Sequence, residues 1–326
     1  MAGAGRAVLA AAQSRTARVC FIVLAVGLAV WALSSRWGEV VAAAGRLDPV
    51  YLVAAGLATT ANLVLTGQAW RALLADLGAR LPVGLAARVF FVGQIGKYVP
   101  GSLWPLIVQA ELAKRHVARR STAAATLVLI LLSGASALLV VLVALPFAPD
   151  GGGSGVRWAG LLVLPAAAVL HPAVLGRLLD RGLRLLGRDP LDRWTSLRGT
   201  ASATGWALAA WLLAGLQVWL LSVPLGAPPT WRTLALGVGG YALAWAVGLV
   251  VVVAPAGAGA REVALAAVLS AVLDRGAVVV VVLLSRVLFT AADLALAALG
   301  FAAGRRDLST PAAPASPSRD TRSRTS

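Results

Sequence analysis

Long apolar runs separated by short basic segments dominate the chain. Apolar stretches at Val19 to Leu33, Val50 to Trp70, Ser121 to Pro146, Val156 to Leu175, Ala201 to Leu225 and Ala277 to Gly300 each predict a membrane-crossing helix. Two further apolar regions are interrupted. Residues 89–113 contain Gly93, Gly96, Lys97, Pro100, Gly101 and Pro105, and residues 233–273 contain Pro255, Ala256, Gly257, Ala258 and Gly259 followed by Arg261 and Glu262. Proline removes a backbone donor and glycine weakens a helix. Backbone freed in this way is tolerated at membrane depth only where it is buried in protein or lines a wet cavity. Both regions therefore predict broken, re-entrant helix pairs. The expected fold is an all-α polytopic membrane protein with six full spans and two broken pairs; eight full spans is the alternative, since 233–254 and 258–273 each nearly suffice to cross.

The charges orient this pattern. Of the 29 Lys and Arg, 21 fall in 1–18, 71–88, 114–120, 177–198 and 305–326, and five lie in the opposite segments. The positive-inside rule then puts both termini in the cytoplasm. It also requires each broken region to enter and leave on one side. The first half reads span, span, broken pair, span; the second half, after the Gly-rich linker 150–155, reads the same from the other side. This is an inverted repeat over about 19–146 and 156–304, an architecture that places transporter sites at the repeat interface. The domain frame is a cytoplasmic N-terminus over 1–18, a transmembrane domain over 19–304, and a Pro-, Ser- and Arg-rich tail over 305–326 that predicts disorder.

Composition narrows the classes. The 326 residues are 59% hydrophobic and 13% charged, about half the charge of a soluble domain. The net charge of +16 would suggest nucleic acid in a soluble protein; here no nucleic-acid partner is expected, and an anionic membrane lipid is the natural counterpart. One cysteine, Cys20, excludes a disulfide framework and reads as a small apolar residue of the first span. Two histidines make a histidine-built metal site a poor reading, and no cofactor is expected. Arginine-rich basic charge with abundant Ala, Gly and Val suggests a bacterial, GC-rich source.

Ionisable side chains at membrane depth are functional candidates by default. There are six: Lys97, Glu111, Arg261, Glu262, Arg286 and Asp293. Arg286 and Asp293, seven apart, share a helix face and form a candidate ion pair. Adjacent Arg261 and Glu262 cannot face each other, so each needs another partner, expected in the other half. Lys97 needs either an anion or Glu111. The run from Gly93 to Pro105, with Lys97, Tyr98, Pro100, Gly101 and Trp104, combines a cation, aromatics and a helix restart whose free N–H groups favour an anion. A helix restarting near Gly259 offers the same beside Arg261. Gln109 and Gln217 are weaker candidates for a polar path, and Trp31, Trp37, Trp158, Trp219 and Trp231 read as interface anchors.

The segment Gly96-Lys97-Tyr98-Val99-Pro100-Gly101-Ser102-Leu103-Trp104, with Glu111 downstream, resembles the first signature of the lysylphosphatidylglycerol synthase transmembrane, or flippase-like, family. Pro255-Ala256-Gly257-Ala258-Gly259-Ala260-Arg261-Glu262 resembles its second. Asn62, Arg71, Leu73 and Leu74 fit a weaker early signature. The resemblance covers roughly residues 20–300. It implies a bacterial inner-membrane protein that handles a phosphate-bearing lipid, with substrate contacts at Lys97, Tyr98, Pro100, Gly101, Trp104, Glu111, Pro255, Gly257, Gly259, Arg261 and Glu262. Two-domain members carry a soluble aminoacyltransferase domain, whereas 22 residues follow Gly304 here, so synthase activity is not expected. The expectation is a non-enzymatic lipid translocase. A non-transporting partner of a cell-envelope enzyme is the alternative, and a membrane-embedded transferase a weaker one, because Asp180, Asp189 and Asp192 lie amid six arginines. No phosphate-cradling G-x-x-x-x-G-K-[ST] pattern is present.

Overall fold

The computed structural model describes residues 38, 41–42, 45–98, 104–144, 147, 164–185, 194–250, 257 and 259–309. The described residues are mostly helical, joined by turns, with no strand among them. The predicted span Val19 to Leu33, the linker 150–155, and Pro100, Gly101 and Pro255 lie outside them.

Helix α1, Pro49–Asp76, starts where Asp48 accepts from the Val50 N–H at 2.8 Å, with Pro49 in the first position that needs no donor. Pro82 launches a broken arm: α2 (Val83–Ala87), a π-helical turn (Arg88–Val92) and a 3-10 turn (Ile95–Tyr98). Helix α3, Trp104–Ala113, returns from it, and α4, Arg119–Ala144, follows. In the second half α5 is Pro172–Leu185 and α6 is Leu197–Ser222, capped by Ser196, whose hydroxyl accepts from Gly199 N–H at 3.0 Å. A 3-10 turn over Val223–Leu225 precedes α7, Trp231–Val250. The short α8, Ala260–Leu269, and the long α9, Arg275–Ser309, complete the chain.

Five of these helices are long and apolar enough to cross a membrane: α1, α4, α6 with its 3-10 turn, α7, and α9 to Ala303. The ten residues of α8 rise only about 15 Å, half a hydrocarbon core. The expected span Val156 to Leu175 needs correction. Its described part is helical over 164–169, turns at Leu170 and His171, and restarts as α5 at Pro172. Proline cannot continue the preceding helix, so the apolar run stops there. The region expected as a basic loop is thus partly the amphipathic α5, whose Asp180 accepts from Trp194 Nε1 at 2.9 Å. Helix α9 runs past Gly304 to Ser309.

The helices define two ends. At one, Asp76 accepts from the Ser196 N–H and hydroxyl at 2.5 and 2.8 Å, joining the close of α1 to the start of α6. Leu74, Val117, Leu175, Leu179 and Ala203 form an apolar cluster there. At the other, Arg46 pairs with Asp274 at 3.1 Å. The Ala277 N–H, and then Arg46, hold the Asp274 carboxyl below its ordinary pKa. Ala55, Leu225, Leu269 and Ala277 cluster beneath this end. Leu225 closes the 3-10 turn before α7 and Leu269 ends α8, so the α7–α8 pair returns to the end it entered. The α2–α3 pair likewise starts at Pro82 and ends at Ala113, both at the Asp76 end. Exchange α1 with α6, α4 with α9, and one hairpin for the other, and most helix neighbours map onto each other.

Candidate functional site

Each hairpin depends on glycines that let its arms touch. In the first, a Cβ on Gly96 would lie 3.0 Å from the Trp104 carbonyl carbon and the Pro105 nitrogen, and one on Gly93 would collide with Gln109. Gln109 ties the hairpin to α4: its amide nitrogen donates to the Phe90 carbonyl at 3.4 Å, and its oxygen accepts from Thr126. Trp70 Nε1 donates to the same threonine at 3.0 Å. In the second hairpin Gly257, at φ +70°, would place a Cβ 2.8 Å from Gly248 Cα. Gly259, at φ +87°, precedes α8 and is braced by Glu262, which accepts from the Gly259 N–H at 2.6 Å. Both φ values belong to the region that only glycine visits freely.

Lys97 and Tyr98 from the first hairpin and Arg261 and Glu262 from the second line one cavity against α9. Lys97 Nζ lies 2.6 Å from Asp293 Oδ2, and the Tyr98 hydroxyl donates to that oxygen at 2.7 Å. Asp293 is 2% exposed. Glu262 from α8 pairs with Arg286 at 3.6 Å. Arg261 stands over the Trp245 ring, 5.8 Å from its centroid, and its buried Nε has no hydrogen-bond partner. Among the described residues no carboxylate lies in ion-pairing range of Arg261. These groups line a cavity with about 510 Å³ of empty space, part of it open to the surroundings, closed further by Tyr241, Ser285 and Phe289.

Several expectations change here. Arg286 and Asp293 share a face of α9, yet the ion pairs observed for them run to other elements, Asp293 to Lys97 and Arg286 to Glu262. Each instead binds a hairpin tip. Glu111 was expected at membrane depth as a partner for Lys97. It is exposed near the Asp76 end, paired with Lys114 and, at 2.8 Å, with Arg119, because α3 has already returned to that end. Glu262 finds its partner within its own half rather than in the other. Trp104 is 42% exposed at the start of α3 and does not line the cavity. Gln217 is buried and accepts from Ser285 at 3.2 Å. Trp219 is not an exposed anchor, since its Nε1 is buried without a partner, whereas Trp231 is exposed.

Seven lining residues were not singled out from sequence, and four of these are polar or aromatic: Tyr241, Trp245, Ser285 and Phe289. The signal was available, because each pair is spaced i, i+4 and so shares a helix face. Tyr241 stacks on Phe289 with centroids 5.2 Å apart, closing α7 onto α9. Among the described residues no three His, Cys, Asp or Glu side chains gather as a metal site would need.

The architecture and the site define a multi-pass helical membrane protein with two opposed hairpins closing on a charged cavity. Residues 18–297 match the family model described as the lysylphosphatidylglycerol synthase TM region, and the chain belongs to that family. No curated protein and no solved structure matches it.

Proposed function

We propose that the protein translocates a phosphate-bearing lipid, of phospholipid or polyprenyl type, across the bacterial inner membrane, with the headgroup passing through the cavity between the hairpin tips. It acts as a transporter and not as an enzyme. The observation that carries this reading is Arg261, whose buried Nε lacks a hydrogen-bond partner and which has no counter-charge among the described residues, in a cavity lined from both opposed hairpins. A guanidinium presents a planar fork of donors suited to phosphate oxygens. Lys97 and Arg286 stand in the same cavity, each already paired with a carboxylate. Broken helices from inverted halves meeting at mid-membrane are the usual setting of a transport site.

The test is reconstitution into vesicles holding a fluorescent phospholipid, with a quencher added outside. Protein-dependent loss of the inner-leaflet signal is expected. Arg261→Gln should slow it about tenfold or more, on the scale of one charge-assisted hydrogen bond, and Arg261→Lys should retain most of it. A folded, reconstituted protein that moves no lipid would overturn the reading and favour a non-transporting partner of a cell-envelope enzyme.

A further inference from the structure

Helix α5 presents a different chemistry on each of its sides. Successive residues of a helix turn by about 100°, so positions four apart share a side. Leu175 and Leu179, 1% and 7% exposed, face the apolar cluster of the Asp76 end with Leu74, Val117 and Ala203. One residue on, Gly176 and Asp180 meet Trp194. A Cβ on Gly176 would lie 3.3 Å from that ring, and the Asp180 carboxylate accepts from its Nε1 at 2.9 Å. Two residues on, about half a turn from the core side, Arg177 and Arg181 are exposed, and Arg184 continues their row. Val174 and Leu178 form the remaining side, and Leu178 is 46% exposed. The side away from the protein is thus basic, with an exposed apolar edge beside it. The neighbouring segments set the depth of this helix. The chain reaches α5 from an apolar stretch in which Leu164 is 79% exposed. It leaves for α6, a membrane-length helix whose first residue, Leu197, is 65% exposed. Trp194, packed on α5, stands three residues before Leu197. Helix α5 therefore lies at the level where α6 begins, among headgroups rather than in open water.

We propose that α5 is an interfacial helix that seats the edge formed by Val174 and Leu178 in the leaflet at the Asp76 end and holds anionic lipid headgroups along Arg177, Arg181 and Arg184. An amphipathic helix with arginines on its polar face lies in the plane of the interface in this way. A guanidinium takes phosphate oxygens in its fork of donors while its aliphatic stem stays against apolar surface. Asp180, the single carboxylate of α5, is turned onto Trp194 and away from the leaflet. The occupant is lipid and not an acidic protein. The apolar edge beside the arginines needs hydrocarbon, and the exposed leucines before and after α5 put hydrocarbon there. This contact is separate from the cavity, whose described lining comes from the two hairpins and α9. It stands whether or not the protein moves lipid.

The experiment puts a fluorophore on Leu178→Cys, in a Cys20→Ala background, of the full-length protein in nanodiscs of mixed phosphatidylcholine and phosphatidylglycerol. One of the two lipids, each in turn and at equal mole fraction, carries a nitroxide quencher high on its acyl chain. Labelled phosphatidylglycerol should be preferred over labelled phosphatidylcholine by about fivefold or more, the scale of one arginine at an anionic surface. Arg177→Gln/Arg181→Gln/Arg184→Gln should bring the two lipids to equal quenching, whereas lysine at the same three positions should keep most of the preference. Salt tests the same claim on the arginines as they stand. Raising it to about 1 M shortens the screening length to about 3 Å and should shrink the preference. A fluorophore on Leu212→Cys, 60% exposed near the middle of α6, should be quenched by both lipids alike. A preference that survives the triple glutamine substitution, or that is as large at Leu212→Cys, would overturn the proposal. So would a probe at Leu178→Cys that neither lipid quenches, because α5 would then stand in water and its arginines would be open to an acidic protein instead.

Discussion

At the scale of single residues, Lys97 and Asp293 hold the most consequential contact. They join the tip of the first hairpin to α9 across 196 positions of sequence. A buried charge that loses its partner costs about 3–5 kcal/mol. Lys97 is 27% exposed, which discounts that figure to about 2–3 kcal/mol. Lys97→Gln should therefore lower the thermal midpoint in detergent clearly, because Asp293 would keep only the Tyr98 hydroxyl among the partners described. Lys97→Gln/Asp293→Asn should recover most of the loss, whereas Lys97→Gln/Glu111→Gln should recover none. A single variant as stable as its parent, or rescue through Glu111, would contradict the pairing. The sequence singles out both ionisable residues, because charge at membrane depth is conspicuous. It does not say that they meet, since spacing along one helix constrains only neighbours on that helix, and Lys97 and Asp293 meet across elements.

At the scale of elements, backbone punctuation was legible and pairing was not. Gly96 and Gly257 announce close approach in the sequence, and both sit where opposing backbone comes within about van der Waals contact. The extent of α5 was hidden, because the apolar run to Leu175 reads as one span until the turn at His171, before Pro172, is seen. Glu111 was misplaced for a related reason: composition marks a broken region, but the depth at which its second arm emerges depends on how the arms fold together. The α6–α7 crossing offers a sharper test of close packing. A Cβ on Gly237 would stand 2.9 Å from the Gly215 carbonyl oxygen, and one on Gly215 would run into Val238 backbone. Overpacking of this kind typically costs about 1–3 kcal/mol. Gly215→Val should lower the thermal midpoint, with the helix content of the folded protein unchanged. Gly205→Ala, on the same helix and with open space around it, should hold or raise the midpoint, since alanine is the better helix former. Equal effects of the two substitutions would mean that α6 and α7 do not approach as described.

At the scale of the whole molecule, the two ends differ in charge as well as in which hairpin they launch. Lys114, Arg115, Arg119, Arg120, Arg177, Arg181 and Arg184 accompany the Asp76 end, where Val117, Leu175 and Leu179 pack together. Arg46, Arg232 and Arg275 accompany the other. Basic segments are retained on the cytoplasmic face of a membrane, so the asymmetry predicts the Asp76 end inside. The two hairpins then open toward opposite compartments, which is what the proposed transport through the cavity requires. Ala118 and Ser270 are both exposed, one beside Val117 at the start of α4 and the other at the close of α8. In a Cys20→Ala background, Ser270→Cys should react with an impermeant maleimide on intact spheroplasts. Ala118→Cys should react only after the membrane is opened. Both cysteines reacting from one face would break the two-ended arrangement, and the reversed result would turn the molecule over, placing the first hairpin's mouth outside and the second's in the cytoplasm.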